Sequence, residues 1–388
     1  MILEENSKPH QKHFRLTKPS FGEFARNEIA LLGTNCADIK SLSQTIIRNL
    51  ASYKIAYVDA DHKSATEELT KNKSFLNGSF LTYTDKISFQ SIDFSSPLTS
   101  FQRRTVFNNS DLVIVNGNHF TAQNQIVVID PFKSLEKKLD KLTNVKLILL
   151  KNDEQKIPEY LQQITGFDSI PVLNLKDEKE IETFLHLFIS ERKPGINGLV
   201  LSGGESSRMK KDKGNLAYHG TSQREHLYHL LHKRCEKTFI SCNAMQANLL
   251  ADQFPLIQDT FLQLGPLGGI LSAFQANPTV AWLSIACDLP FLSEDTIQYL
   301  IGHRNPSKLA TAFLDPSGAF PEPLITIWEP KSYAVMLQFL ALGYSCPRKV
   351  LINSDIELLT APEVNEFVNV NNPAEYQEAV GKLNDVRH

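Results

Sequence analysis

The stretch LVLSGGESSRMKKDKG, Leu199–Gly214, joins an apolar strand-like run to glycines, serines, an arginine and three lysines. In open α/β sheets, ligands sit beyond the carboxyl ends of strands, and Gly203 and Gly204 fall at such an end. Glycine lets the backbone turn sharply and lets a ligand approach the amides. Successive N–H groups there form a concavity that holds phosphate. Ser206 and Ser207 add hydroxyl donors, Arg208 can fork onto phosphate oxygens, and Lys213 supplies a point charge from further along. The pattern is neither a Walker A loop nor G-x-G-x-x-G. Read by itself, it is either an anion-binding loop or a basic glycine turn.

Outward from this stretch the same alternation of strand and helix recurs. The second half predicts strands at Gly198–Ser202, Thr238–Asn243, Ala281–Asp288, Lys308–Leu314, Leu324–Trp328 and Phe367–Val370. Helical spacing falls at Gln223–Cys235, Gly268–Gln275, Glu294–Gly302, Lys331–Leu342 and Ala374–Leu383. The first half predicts strands at Asn27–Gly33, Lys54–Asp61, Asp111–Gly117, Gln125–Asp130, Val145–Leu150 and Ile170–Leu175, with helices at Ser41–Lys54 and Glu180–Lys193. Continuous apolar strands alternating with helices imply mostly parallel sheets covered on both faces. Pro194 and Gly195 in ERKPGING (Glu191–Gly198) stop a helix before a new strand begins, which marks a domain boundary. The expected organisation is a polar tail over 1–20, one α/β domain over 21–193 and a second over 196–388.

The totals fit this reading. A chain of 388 residues suggests two domains. The formal net charge of −3 gives no global pointer to nucleic acid or a membrane surface. Cys36, Cys235, Cys242, Cys287 and Cys346 are scattered and odd in number, against a disulfide framework or zinc site. The polar N-terminus lacks a signal-peptide core, and no apolar run approaches the roughly 18–20 residues of a membrane span. A cytoplasmic location is expected.

The segment AWLSIACDLPF (Ala281–Phe291) carries the second piece of chemistry. It ends an apolar strand in Asp288, beside the glycine loop if the strands are parallel. Mg²⁺ prefers one or two carboxylates plus substrate phosphates, and Asp288 is placed to be one. Ser293 offers a better cap for the next helix, which weakens the alternative that Asp288 is only a helix cap.

The run Leu201–Lys213 closely resembles the signature loop of molybdenum cofactor guanylyltransferases of the MobA type, L-A-G-G-x-S-x-R-M-G-x-D-K. It departs at Ser202, where alanine is usual, and at Lys210, where glycine is usual. Four further segments resemble the same family in order: FISCN ending in Asn243, FPLIQD ending in Asp259, GPLGGI from Gly265, and FVNVNNP with Asn369 and Asn371. EPLITIWEP (Glu322–Pro330) resembles a strand on the acceptor side. The resemblance covers about residues 196–385. It implies a Rossmann-like nucleotidyltransferase domain that moves GMP from GTP to the phosphate of molybdopterin or its molybdenum-loaded form, with Mg²⁺ and release of pyrophosphate.

In that scheme Leu201, Ser202, Gly203, Gly204, Ser206, Asn243, Asp259 and Gly265 line the nucleotide. Gly203, Gly204 and Arg208 hold the β- and γ-phosphates, and Lys213 faces the α-phosphate. Asp288 holds Mg²⁺, with Asn371 completing the metal shell. Molybdoenzymes and other cofactor-synthesis proteins are the implied partners. Two alternatives stay open: a cytidylyl or other nucleotidyltransferase, which the double glycine disfavours, and an inactive scaffold that delivers cofactor.

The first half resembles the small GTP-binding protein of the same pathway, the MobB type, with a P-loop NTPase-like fold. The expected loop is degenerate. Lys40 and Ser41 stand as a K-[ST] pair, but Thr34 and Ile39 occupy the two glycine positions. Asn116 replaces a glutamate, and YVDADHK (Tyr57–Lys63) only loosely matches a histidine-bearing strand. A nucleotide-inactive adaptor domain is expected.

Overall fold

Successive side chains of a strand point to opposite faces, so a strand that is apolar throughout needs cover on both sides. The computed structural model, which describes residues 18–61, 78–152, 156–203 and 212–385, builds two such sheets. Phe21–Lys193 forms one compact unit and the chain from Pro194 another.

In the first unit the strands are β1 (Glu28–Leu32), β2 (Ile55–Val58), β3 (Leu81–Asp85), β4 (Gln90–Phe94), β5 (Leu112–Asn116), β6 (Asn124–Ile129), β7 (Val145–Leu150) and β8 (Val172–Asn174). Six of them form a parallel sheet in the order β2-β5-β1-β6-β7-β8, and β3 and β4 pair as a separate antiparallel hairpin. Ile29, Leu31, Ile114 and Ile126 face one core with Ile39 and Ile46 of helix Cys36–Asn49. Ala30, Leu32, Val113, Val115 and Val127 face the other. Each fully buried aliphatic side chain contributes about 1.5–3 kcal/mol, which makes the central strands the stable part of the unit.

The second unit contains β9 (Ile196–Leu201), β10 (Lys237–Cys242), β11 (Leu256–Gln258), β12 (Ala281–Ala286), β13 (Ala310–Leu314), β14 (Pro321–Trp328) and β15 (Glu357–Leu359), in the order β11-β10-β9-β12-β14-β13-β15. The run β11-β10-β9-β12 is parallel, whereas β14 is antiparallel to both its neighbours. The faces again separate two cores: Val200 joins Leu227, Ile240 and Leu283 on one side, while Leu199 and Leu201 join Leu267, Ile270 and Trp282 on the other.

Several expectations need correction. The strand expected at Phe367–Val370 is absent: Val364–Phe367 is a short 3₁₀ turn, and β15 takes the sheet edge instead. Val370 still donates its amide to the carbonyl of Asp288 at 3.0 Å, which ties this segment to the end of β12. Helix Ser41–Lys54 starts earlier, at Cys36, because the Asn35 side chain accepts from the amide of Asp38 and caps it. Helix Gln223–Cys235 closes at His232.

Helix Pro266–Ala276 packs on the second sheet at close range, and glycine makes the approach possible. A Cβ on Gly268 would collide with the carbonyl oxygen of Phe261, a backbone atom that cannot rotate away. Gly268→Ala is therefore expected to lose about 1–3 kcal/mol of stability. Denaturant unfolding of the full chain checks this, and an unchanged midpoint would show that the Phe261 segment yields.

Candidate active site

Because β11, β10, β9 and β12 run parallel, their carboxyl ends share one edge, and a cleft of about 200 Å³ opens there. Leu201, Ser202, Gly203, Lys213, Asp259, Gly265 and Asp288 line it, each a residue singled out from the sequence. Gly203 has no room for a side chain, since a Cβ would collide with the Asp259 carboxylate. Gly265 adopts φ +55°, a conformation that favours glycine, and with Pro266 it brings the N-terminus of helix Pro266–Ala276 to the cleft. That end of the helix carries partial positive charge and suits an anion.

Asp288 follows the end of β12 and is only partly exposed. Its Oδ1 is buried and has no hydrogen-bond partner among the described residues. Its Oδ2 lies 3.9 Å from Nζ of Lys213. Burial pushes its pKa above the usual carboxylate range, and the charge of Lys213 pulls the other way. Lys213 also donates to Oδ1 of Asn371 at 2.8 Å. Asn371 therefore meets the cleft through Lys213. Oδ1 of Asn369 is likewise buried without a partner among the described residues.

Asp259 follows β11, and its Oδ1 accepts from the Ser241 hydroxyl at 2.6 Å. Burial raises its pKa, partly offset by that bond. Asn243 follows β10, but its Oδ1 caps helix Ala244–Leu250 by accepting from the amide of Gln246 at 3.0 Å. It stands beside Gly203 and outside the lining of the cleft. Gly204, Ser206, Arg208 and Lys210 lie outside the described residues.

Sequence reasoning missed part of this environment. Gly214, Ser241, Pro266, Gly269, Cys287 and Leu324 also line the cleft. Gly214 directly follows Lys213 and Cys287 directly precedes Asp288, so adjacency could have found both. Leu324 arrives by the antiparallel return of β14 beside β12, within the EPLITIWEP segment whose resemblance gave the strand but no single residue. Asp212 belonged to the signature but was given no role. Its Oδ2 accepts from Nη2 of Arg224 and from Nε2 of Gln246.

In the first unit, the corresponding edge is filled by its own charges. Gly33, Thr34 and Asn35 alone separate β1 from its helix, so Lys40 and Ser41 sit a turn inside it. Lys151 bridges Asp38 at 2.7 Å and Asp130 at 2.9 Å, and Thr34 hydrogen-bonds to Asp130 at 2.6 Å. Asn116 donates to Asp59 at 2.8 Å. His62 and Lys63 lie outside the described residues.

The C-terminal unit is an α/β domain with a glycine-bounded cleft at the carboxyl edge of its parallel strands, holding a lysine and a part-buried carboxylate. Residues 198–356, all within the C-terminal unit, match the family model of the MobA-like NTP transferase domain. A molybdenum cofactor biosynthesis bifunctional protein of Synechocystis is 34% identical over 182 residues. That match spans about half of each protein, 47% of this chain and 52% of the relative. A molybdenum cofactor guanylyltransferase of Shewanella is 27% identical and is matched over 97% of its length by 49% of this chain. A solved molybdopterin-guanine dinucleotide biosynthesis protein A of Archaeoglobus fulgidus covers 49% of this chain and 99% of its own, with 18% identity and a TM-score of 0.43. No helix among the described residues is long and apolar enough to cross a membrane.

The raised pKa of Asp259 means that the folded protein binds its proton more tightly than the unfolded chain. Its ionisation therefore costs stability as pH rises from the ordinary carboxylate range through the raised value. Asp259→Asn removes that cost. Its thermal midpoint is expected to exceed the parent's at neutral pH, and the gap is expected to close as pH falls. A gap independent of pH would show that Asp259 titrates as an ordinary carboxylate.

Proposed function

We propose that the C-terminal unit is a molybdenum cofactor guanylyltransferase that transfers GMP from GTP to the phosphate of molybdopterin. The observation that carries this reading is the convergence of Gly203, Lys213 and Asp288 on one cleft, with a buried, unpartnered carboxylate oxygen on Asp288. The sequence match of residues 198–356 and the names of the relatives support the same reading.

In the reaction, an oxygen of the acceptor phosphate bonds to the α-phosphorus of GTP, and the bond to the pyrophosphate oxygen breaks. Such transfers depend on positioning and charge neutralisation more than on a protein nucleophile. The bare backbone at Gly203 lets the triphosphate approach closely. Lys213 offers its ammonium to the charge that develops at the α-phosphate. The N-terminus of helix Pro266–Ala276 adds a fixed positive end. Asp259, held by Ser241, faces the cleft as an acceptor for the N–H groups of a guanine edge.

The donor set at Asp288 fits Mg²⁺: one carboxylate with an unpartnered oxygen, and space for phosphate oxygens and water to complete the shell. When bound there, Mg²⁺ would neutralise charge on the bridging phosphate oxygens. Asn371 would reach this shell only through its bond to Lys213.

The first unit is proposed to be a degenerate P-loop-like domain that binds no nucleotide. Its supports are the three-residue turn after β1 and the Lys151–Asp38–Asp130 network at the place where phosphates would sit.

Incubation of the full chain with Mg²⁺, molybdopterin and either GTP or CTP tests the main reading. Faster GMP transfer is expected, and faster CMP transfer would reassign it as a cytidylyltransferase. Asp288→Asn is expected to lower kcat by about 10²-fold or more with the fold retained. Near-normal turnover would remove Asp288 from the metal shell. Calorimetric titration with GTP is expected to give one site per chain, and a second site would restore nucleotide binding to the first unit.

A further inference from the structure

Lys213 can act on a phosphate only if something fixes the backbone that carries it. The residues that do so come from two helices that contribute nothing else to the cleft. Arg224 lies in the first turn of helix Gln223–His232 and is only 2% exposed. Its Nη2 donates to Oδ2 of Asp212. Gln246, in the first turn of helix Ala244–Leu250, donates from Nε2 to the same Oδ2 at 2.9 Å and to the carbonyl oxygen of Ser202 at 3.0 Å. The other oxygen of Asp212 accepts from the amide of Gly214 at 2.9 Å.

The Asp212 carboxylate is therefore held from three directions, and it immediately precedes Lys213. Gln246 joins Ser202 to Asp212, which are the two sides of the signature loop. Gly214 closes the arrangement from above. A Cβ there would lie 2.6 Å from Oγ of Ser202 and 2.7 Å from Nε and Nη2 of Arg224, so a side chain at this position would displace the guanidinium.

We propose that Arg224, with Gln246, is a positioning residue for the transfer reaction: it fixes Asp212 and thereby sets Lys213 against Asp288 and Asn371. This rests on the nucleotidyl-transfer reading of the cleft. A stability role explains the arginine poorly. Nε of Arg224 is buried without a hydrogen-bond partner among the described residues, and a buried ion pair is often matched or exceeded in stability by apolar residues of similar volume. What an apolar residue cannot do is aim a carboxylate. The rigid guanidinium plane of Arg224 aims Nη2 at Oδ2 of Asp212, which a freely rotating ammonium does not do.

The test uses the full chain in four forms: parent, Arg224→Met, Lys213→Ala and the double variant. GMP transfer by Arg224→Met is expected to fall about 10²-fold, in kcat more than in KM for GTP, because a displacement of about 1 Å at a reacting group costs that much. In the Lys213→Ala background the same change is expected to cost less than about twofold, since the two act as one unit. Equal losses in both backgrounds would overturn the proposal.

A second readout needs no turnover. In reductive methylation followed by peptide mass spectrometry, Lys213 is expected to react several-fold faster in Arg224→Met than in the parent. Lys308, paired with Asp355 at 2.6 Å, serves as the unchanged reference. An unaltered Lys213 rate overturns the positioning role even if the chain transfers no GMP, whereas a faster rate without transfer in the parent sinks only the functional reading. Where Arg224→Met does not fold, Arg224→Lys keeps the charge, loses the fork, and is expected to show the same two effects in reduced size.

Discussion

The parallel run β11-β10-β9-β12 is the constraint on which the cleft depends. Parallel strands deliver every carboxyl end to one edge, so Gly203, Asn243, Asp259 and Asp288 meet there although they are far apart in sequence. The strands can lie in this order only because both faces are covered, and that explains why β9 and β12 are mostly apolar, with Asn197 and Ser284 buried among them. Gly203, Asn243, Asp259 and Asp288 follow the last ladder positions, and Ser241 joins them from the end of β10 itself. The antiparallel β14 then brings Leu324 to the same end from the opposite chain direction.

The two units share this architecture and differ at the edge it creates. In the first unit, Lys151 sits between Asp38 and Asp130, and Lys133 donates to the Thr34 carbonyl at 2.6 Å and to Asn118 at 2.8 Å. These charges satisfy one another. In the second, Asp288 keeps one buried oxygen without a partner among the described residues, and its Oδ2 lies 3.9 Å from Lys213. A group left unsatisfied at a strand end costs folding free energy, and such costs persist where a ligand can complete the set. Among the described residues, the first sheet edge is finished by its own side chains, and the second keeps a carboxylate oxygen unpartnered.

Most strands were legible because a buried parallel strand is a continuous apolar run bounded by turn residues, as NEIALLG and AWLSIACDLPF show. The cleft residues Gly203 and Asp288 were legible for a related reason: they stand just beyond the carboxyl ends of such runs, whereas Lys213, further along the loop, was legible through the signature spacing. FVNVNNP misled because alternating apolar residues also suit an extended segment that pairs through a single amide, here Val370 to Asp288. The early start of helix Cys36–Asn49 turned on one asparagine cap, a local signal outweighed by the later apolar spacing. Arg224 and Gln246 carried no signal. Arg224 sits in an ordinary helix and Gln246 in a seven-residue one that the apolar spacing does not announce, and the importance of each comes from the tertiary approach to Asp212.

That approach also explains why the loop signature pairs an aspartate with a lysine. The two side chains leave adjacent backbone positions in different directions. Asp212 points inward to Arg224, Gln246 and the Gly214 amide, and all its interactions serve geometry. Lys213 points to the cleft, where its partners are Asn371 and the more distant Asp288. A flexible four-carbon chain can neutralise a moving charge only if its root is rigid, because otherwise ordering the root adds to the barrier. On the proposed reading, the Asp212 carboxylate, held by Arg224, Gln246 and the Gly214 amide, supplies that rigidity.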